Sequence, residues 1–257
     1  MTKRNNIILL SLCVLLLAAA ALLFAGACRR TAREAEKPAA PWRYAAGRVI
    51  CVGDSLTAGS YFGREMGGVS IEQNYPHYLA RMLNAEVTNA GFGGYSASDW
   101  YEKKIDEYDW SACDTVIVWL GTNFGPTDTL ATDVLPYADS ADYVETETGY
   151  YCRILDRIRA ENPDCLILLV NVFASKSDVE ETNRAIAAIA GHYALPLADM
   201  SDLGAPEHPE LHAGSDMNPH FGKAGNLLVA SRIADTLEAW FAADPLRCEY
   251  GIKTLEE

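Results

Sequence analysis

The sequence predicts an α/β domain with a parallel sheet covered by helices on both faces. Three observations lead there. Apolar strand-length runs and amphipathic helix-length segments alternate at least five times between Arg48 and Phe241, which is the signature of successive strand–helix crossovers. The runs at 48–52, 115–120 and 165–172 are short and strongly apolar, as buried strands are. Three of the strand-like runs also end in loops rich in glycine and polar residues, placing Ser55, Gly94 and Asn123 just after a strand. In such sheets ligands bind beyond the carboxyl ends of the strands.

The elements follow in order. Residues 48–52 form the first strand, which breaks at Gly53 and offers Asp54, Ser55 and Thr57. A strand that stops and presents a serine can place a nucleophile, although Gly-Asp-Ser is also an ordinary turn signal. Position 57 is Thr, so the Gly-x-Ser-x-Gly elbow is excluded. The loop 59–72 is glycine-rich and carries Tyr61 and Phe62. Residues 75–83 have helical periodicity, and 86–89 form a short strand leading into Ala90-Gly91-Phe92-Gly93-Gly94-Tyr95-Ser96. Those glycines imply unusual backbone angles or the close approach of another group. Ser96 caps a helix running to about residue 106. The strand 115–120 ends at Gly121-Thr122-Asn123 and a long acidic loop follows. A helix over 148–160 stops before Pro163, the strand 165–172 precedes a helix over 177–193, and 195–199 is a short last strand. A loop with Gly204, Pro206 and Pro209 leads to Asp216 and His220, and a closing helix spans 223–241.

Composition narrows the function. In 257 residues, 49% are hydrophobic and 22% charged, as in globular proteins, and the net charge of -14 leaves no basic patch for nucleic acid. The acidic excess is concentrated: no Lys or Arg lies between Lys104 and Arg153, where ten Asp or Glu fall. A solvated acidic rim is the expected meaning, since no calcium-ligand spacing is present.

The two ends differ from the middle. Lys3 and Arg4 precede an apolar run from Ile7 to Cys28 broken only by Ser11, which is long enough to cross a bilayer. Ala25-Gly26-Ala27 also fits a cleavage site, and Cys28 directly after it resembles a lipobox with Ala25 in the place of Leu. An uncleaved anchor, a lipoprotein joined at Cys28 and a secreted enzyme all fit, and each puts the main domain outside the cytoplasm. The expected organisation is therefore a signal or anchor at 1–28, a linker at 29–46, the main domain at 47–245 and a tail at 246–257. The cysteines match no disulfide framework or zinc motif; one disulfide is compatible with an extracytoplasmic domain, but the spacing does not pair it.

Acyl transfer needs a nucleophile, a base and donors aimed at the oxyanion. Ser55 is the candidate nucleophile and His220 the candidate base. The backbone N–H groups of Ser55 and Gly94 and the Asn123 amide are the candidate oxyanion hole. Four blocks carry a resemblance here: Gly53-Asp54-Ser55-Leu56-Thr57, Asn89-Ala90-Gly91-Phe92-Gly93-Gly94, Gly121-Thr122-Asn123, and Asp216 with His220, followed by Gly225. In this order they make the chain resemble the SGNH, or GDSL, hydrolase superfamily over about residues 48–241. That resemblance implies a flavodoxin-like three-layer α/β/α sandwich with about five parallel strands. It also implies ester hydrolysis without metal or cofactor, on substrates that include acetylated sugars, lysophospholipids and thioesters.

Two positions depart from the family pattern. Phe124 follows Asn123 where the family has Asp, and Met217 stands three residues before His220 where the family has its acid, with Asp216 one residue further away. Pro219 keeps Asn218 out of a helix, so a bulged loop would let Asp216 orient His220. The other arrangements are a Ser–His dyad or a different acid such as Asp202. His77 and His192 are expected to be structural or on the surface. His208 and His212 sit near Glu207 and Glu210 but in a proline-broken loop, a weak setting for metal. Trp42, Trp100, Trp110, Trp119 and Trp240 are scattered and expected to pack. The function expected is an extracytoplasmic serine esterase removing small acyl groups such as acetyl from glycans. A lysophospholipase or thioesterase, an acyltransferase, and a catalytically impaired binding domain tethered at the surface are the rivals. Membrane contact is expected through the N-terminal segment only.

Overall fold

A computed structural model describes residues 47–61, 64–65, 73–126, 145–204, 206–213 and 219–243. The apolar N-terminal run, the linker, most of the acidic loop, Asp216 and the C-terminal tail lie outside the described residues. Among the described residues no helix is long and apolar enough to cross a membrane.

Five parallel strands form the central sheet: β1 (Arg48–Gly53), β4 (Glu86–Gly91), β5 (Thr115–Trp119), β6 (Leu166–Val170) and β7 (Leu197–Ala198), in the order β4-β1-β5-β6-β7. A small antiparallel pair, β2 (Ser60–Tyr61) and β3 (Arg64–Glu65), lies in the loop after β1. The helices are α1 (Ser55–Ala58), α2 (Tyr75–Leu83), α3 (Ala97–Lys104), α4 (Glu147–Glu161), α5 (Val179–His192) and α6 (Lys223–Ala243). Every residue of β5 is buried, which requires cover on both faces of the sheet. Helix α2 packs against α6 and α3 against α4, giving the three-layer sandwich.

Local chemistry sets most of these elements. Asn74, Thr146 and Asp178 cap α2, α4 and α5 through their side chains, and Ser96 with Asp99 closes a capping box on α3. Trp100, Trp110 and Trp119 are fully buried, and Cys51 and Cys165 are buried too; Trp240 is half-buried, and Trp42 lies outside the described residues.

Three differences from the expected elements have physical causes. The turn after β1 is a four-residue helix, because the Asp54 carboxylate accepts the Leu56 N–H at 2.9 Å and caps it. Helix α3 stops at Lys104 and tightens into a 3-10 turn over Ile105–Glu107. The last strand is only two residues long: Ala194 is left-handed at φ 53, and Pro196 has no N–H to give to a ladder.

Candidate active site

The sheet order decides what can meet. Strands β4, β1 and β5 are neighbours, so their carboxyl ends bring the segments of Gly94, Ser55 and Asn123 to one edge. The connection after β1 runs to β4 on one side and the connection after β5 runs to β6 on the other, which makes this edge the switch point where α/β sheets bind ligands.

The nucleophile turn is held from several sides. Ala58 N–H donates to the Asp54 carbonyl and Gly59 N–H to the Ser55 carbonyl. At the end of α1 the free carbonyls of Thr57 and Ala58 are met by side chains, as helix ends require. Asn89 Nδ2 donates to Thr57 O at 3.0 Å and Asn74 Nδ2 to Ala58 O at 3.2 Å. The Thr57 hydroxyl contacts the Tyr75 hydroxyl at 3.1 Å, and the Tyr75 N–H donates to Asn226 Oδ1 on α6 at 2.9 Å. Gly91 passes so close that a Cβ there would lie 2.2 Å from the Ala58 nitrogen. Asn74, Tyr75 and Asn226 were not singled out as site residues from sequence. Only Asn74 carried a signal, as a capping residue just ahead of Tyr75-Pro76.

Ser55 Oγ lies 2.8 Å from His220 Nε2, so the two most distant candidates, 165 positions apart, meet at hydrogen-bond distance. His220 lies three residues ahead of α6. Its carbonyl accepts the Ala213 N–H at 2.9 Å, and the next residue, Phe221, bridges to His212. The Phe221 ring is buried against Phe173 at 4.7 Å and Trp119 at 6.4 Å between centroids. Burial, with a smaller contribution from the His212 charge, holds the His220 imidazole below its ordinary pKa, so it stays neutral and able to accept a proton further into acid.

Asn123 is buried. Its Nδ2 donates to Tyr95 O at 3.0 Å and has a longer contact of 3.4 Å to Asp54 Oδ2. Gly94 is left-handed at φ 84, a conformation that turns the chain back at little steric cost only for glycine. Asp54 is fully buried. Loss of solvation, opposed first by the Leu56 N–H, pushes its carboxyl up to about 7. Next to Asn123, Phe124 exposes 55% of its surface, with the Lys176 ammonium 5.5 Å from the ring centre.

The alternative acid is corrected by the structure. Asp202 is paired with the Arg232 guanidinium through both carboxylate oxygens, and this pairing holds it below the usual carboxylate range; it is engaged on α6 and not with His220. His208 sits 3.1 Å from Glu210, whereas His212 Nε2 is 2.8 Å from Leu203 O, so the two histidines take separate partners. His77 lies within α2, and His192 ends α5 on the surface.

Residues 51–228 match the model of the GDSL-like lipase/acylhydrolase family. No curated protein matches by sequence. Among solved structures, a possible lipase from Chitinophaga pinensis superposes with a TM-score of 0.55 at 18% identity, over 75% of this chain and 98% of the other. The psychrotrophic esterase EstA from Pseudoalteromonas, in a form inhibited by monoethylphosphonate, gives 0.55 at 13% identity, over 76% and 99%. The acetyl xylan esterase AlAXEase gives 0.50 at 20% identity, over 73% and 98%. At these identities the likeness is one of fold.

Proposed function

Because the chain belongs to the GDSL-like lipase/acylhydrolase family, and is thereby an ester hydrolase, we propose that it cleaves small acyl esters through an acyl-Ser55 intermediate, outside the cytoplasm. The observation that carries this reading is the 2.8 Å contact between Ser55 Oγ and His220 Nε2, within the reach required of a nucleophile and its base. In the proposed reaction Ser55 Oγ bonds to the acyl carbon as His220 takes its proton. The carbonyl electrons move onto oxygen, held by the N–H groups of Ser55 and Gly94 and by the Asn123 amide. The bond to the leaving alcohol then breaks, and His220 returns the proton to that alcohol. Water attacks the acyl-Ser55 carbonyl with His220 again as base, which restores the serine and releases the acid. Tyr95 O fixes one N–H of Asn123, and the contact of the amide to Asp54 is longer, leaving it the N–H that a developing oxyanion can claim.

The proposed substrate is an O-acetylated carbohydrate. The acetyl xylan esterase with the same fold and the exposed Phe124 ring beside Asn123 support it, because an open aromatic face can pack against a sugar ring. The same ring could instead meet a longer acyl chain, as a lipase or lysophospholipase would need. The full chain in detergent, assayed on p-nitrophenyl esters of increasing acyl length and on acetylated xylan beside Ser55→Ala, separates these readings. The proposal predicts highest kcat/KM on acetyl esters, release of acetate from the polymer, and no activity in the variant. A preference for long chains moves the assignment to lipid substrates. Wild type and Ser55→Ala equally inactive on every ester would overturn the hydrolase mechanism. Degradation of the domain by protease added to intact cells tests its location.

A further inference from the structure

Two thiols at the edge of the sheet opposite Ser55 have no part in this chemistry. Cys113 lies two residues before the start of β5 and Cys165 immediately before β6, and their sulfurs lie 3.6 Å apart. Both are buried, with 2% and 8% of their surface exposed. We propose that Cys113 and Cys165 are a disulfide site, closed in an oxidising environment into a covalent staple between the starts of β5 and β6.

The backbone around the pair is already set for it. Cys113 is extended at φ -103, ψ 141, so it continues the line of β5. Following the register Thr115↔Leu166 backward leaves Cys113 one residue out of line with Cys165. At strand spacing and rise this offset puts the Cα atoms about 6 Å apart, inside the window that disulfides occupy. One residue fixes both partners: Asn162 Nδ2 donates to Cys113 O at 2.7 Å, and the Asn162 carbonyl accepts the Cys165 N–H at 3.2 Å. Leu166 N–H donates to Asp114 O at 3.0 Å and holds the two strands together beside the pair. Rotation of the two side chains can therefore bring the sulfurs from 3.6 Å to bonding distance, about 2.05 Å. The other described cysteines are placed differently: Cys51 lies against Tyr75 and Cys152 against Tyr193.

The pair is also polarised. A hydrogen bond from Cys165 lowers the Cys113 thiol, and the same contact, with burial, raises Cys165. Once opening exposes the pair, either thiolate can attack, Cys113 in the steps that follow. With a small disulfide such as oxidised glutathione, the Cys113 thiolate bonds to one sulfur and expels the first glutathione thiolate. Cys165 then loses its proton and attacks the Cys113 sulfur of the mixed disulfide, expelling the second. Two cysteine thiols are oxidised and one external disulfide is reduced to two thiols. Burial of both sulfurs means that this exchange takes place during folding or local opening. The staple closes a loop that contains β5, Asn123 and α4, and it constrains the unfolded chain without touching Ser55. Occupancy in the cell rests on the extracytoplasmic reading, whereas the site itself does not depend on that reading or on the esterase mechanism.

The test uses the full chain in detergent, folded in a glutathione redox buffer, denatured, alkylated and mapped as peptides without reduction. The expected result is a Cys113–Cys165 cross-linked peptide and two fewer alkylated thiols than in protein reduced with dithiothreitol. Reduction should lower Tm by about 5–10 °C in the wild type and leave the Cys113→Ala/Cys165→Ala variant unmoved. Ester hydrolysis should stay within about twofold in both redox states, the sites being distant. Complete alkylation of both cysteines after oxidative folding, or pairing of either with another cysteine, overturns the proposal. A cross-link that forms with no drop in Tm on reduction overturns its role as a staple.

Discussion

The two halves of the Ser55–His220 pair are built differently. Ser55 sits in a turn tied by four side chains from three segments: Asp54 caps it, Asn74 and Asn89 meet its last carbonyls, and Tyr75 reaches Thr57. Among the described residues His220 meets Ser55 through Nε2, its carbonyl accepts the Ala213 N–H, and its neighbour Phe221 packs among aromatic rings. The serine is positioned by several short polar contacts within the sheet edge, while the histidine stands beside an apolar anchor, the buried Phe221 ring. The first arrangement should tolerate damage to any single tie, and the second should fail when its anchor is removed.

The largest effect breaks both halves alike. Ser55→Ala and His220→Ala should each lower kcat on a good ester by about 10⁴-fold or more, and the double variant should be hardly worse than either. Near-additive losses in steady-state kinetics would mean that the two residues do not act as a unit. Asn123→Ala comes next, with a loss of about 10²–10³ in kcat and little change in KM, because an oxyanion donor acts in the transition state. A change in KM alone would assign Asn123 to ground-state binding.

The contrast itself is sharpened by Phe221→Ala against Asn89→Ala. Removing the buried ring should cost about 3–5 kcal/mol of stability and reduce kcat through displacement of His220. Removing one of the two amides at the end of α1 should cost about 1–3 kcal/mol and leave kcat nearly intact. Denaturant melts paired with initial rates read both, and equal losses of kcat would erase the difference between the two ends.

A further effect concerns the pH dependence of stability and leaves Ser55 and His220 themselves untouched. Folding raises the Asp54 carboxyl from 3.8 to about 7, so the folded state favours its neutral form. This contribution to stability is fully present below the unfolded pKa and is lost as pH rises through about 7, amounting to about 4 kcal/mol at most. Asp54→Asn, neutral and of the same shape, should show a flatter stability profile between pH 4 and pH 8. Equal slopes in guanidinium melts across that range would show that Asp54 titrates as an ordinary carboxyl.

The same contrast explains what could be read in the sequence. The strands and long helices were legible because burial on both faces makes β5 and β6 continuously apolar, because α2 repeats with helical periodicity, and because Ser96 caps α3 with its own side chain. Ser55 and Asn123 were legible because each immediately follows a strand in a local motif. Asn226 was not, since its contact with Tyr75 spans 151 positions and depends on how α6 packs. The pairing of Asp202, named only as an alternative acid, was hidden for the same reason: its partner Arg232 lies 30 residues away on a helix face. The two-residue β7 depended on Ala194 taking a left-handed conformation, which its residue type does not announce.

The central claim is that Ser55 is activated by His220, and covalent labelling tests it most directly. The full chain, treated with a phosphonate ester and mapped by mass spectrometry, should carry one phosphonyl group on Ser55. The labelling rate should follow a single ionisation with a midpoint below the 6.5 of an ordinary histidine, as the lowered His220 pKa requires. His220→Ala should label far more slowly and lose that ionisation. Labelling at another residue, or a rate on Ser55 that is indifferent to His220→Ala, would contradict the account.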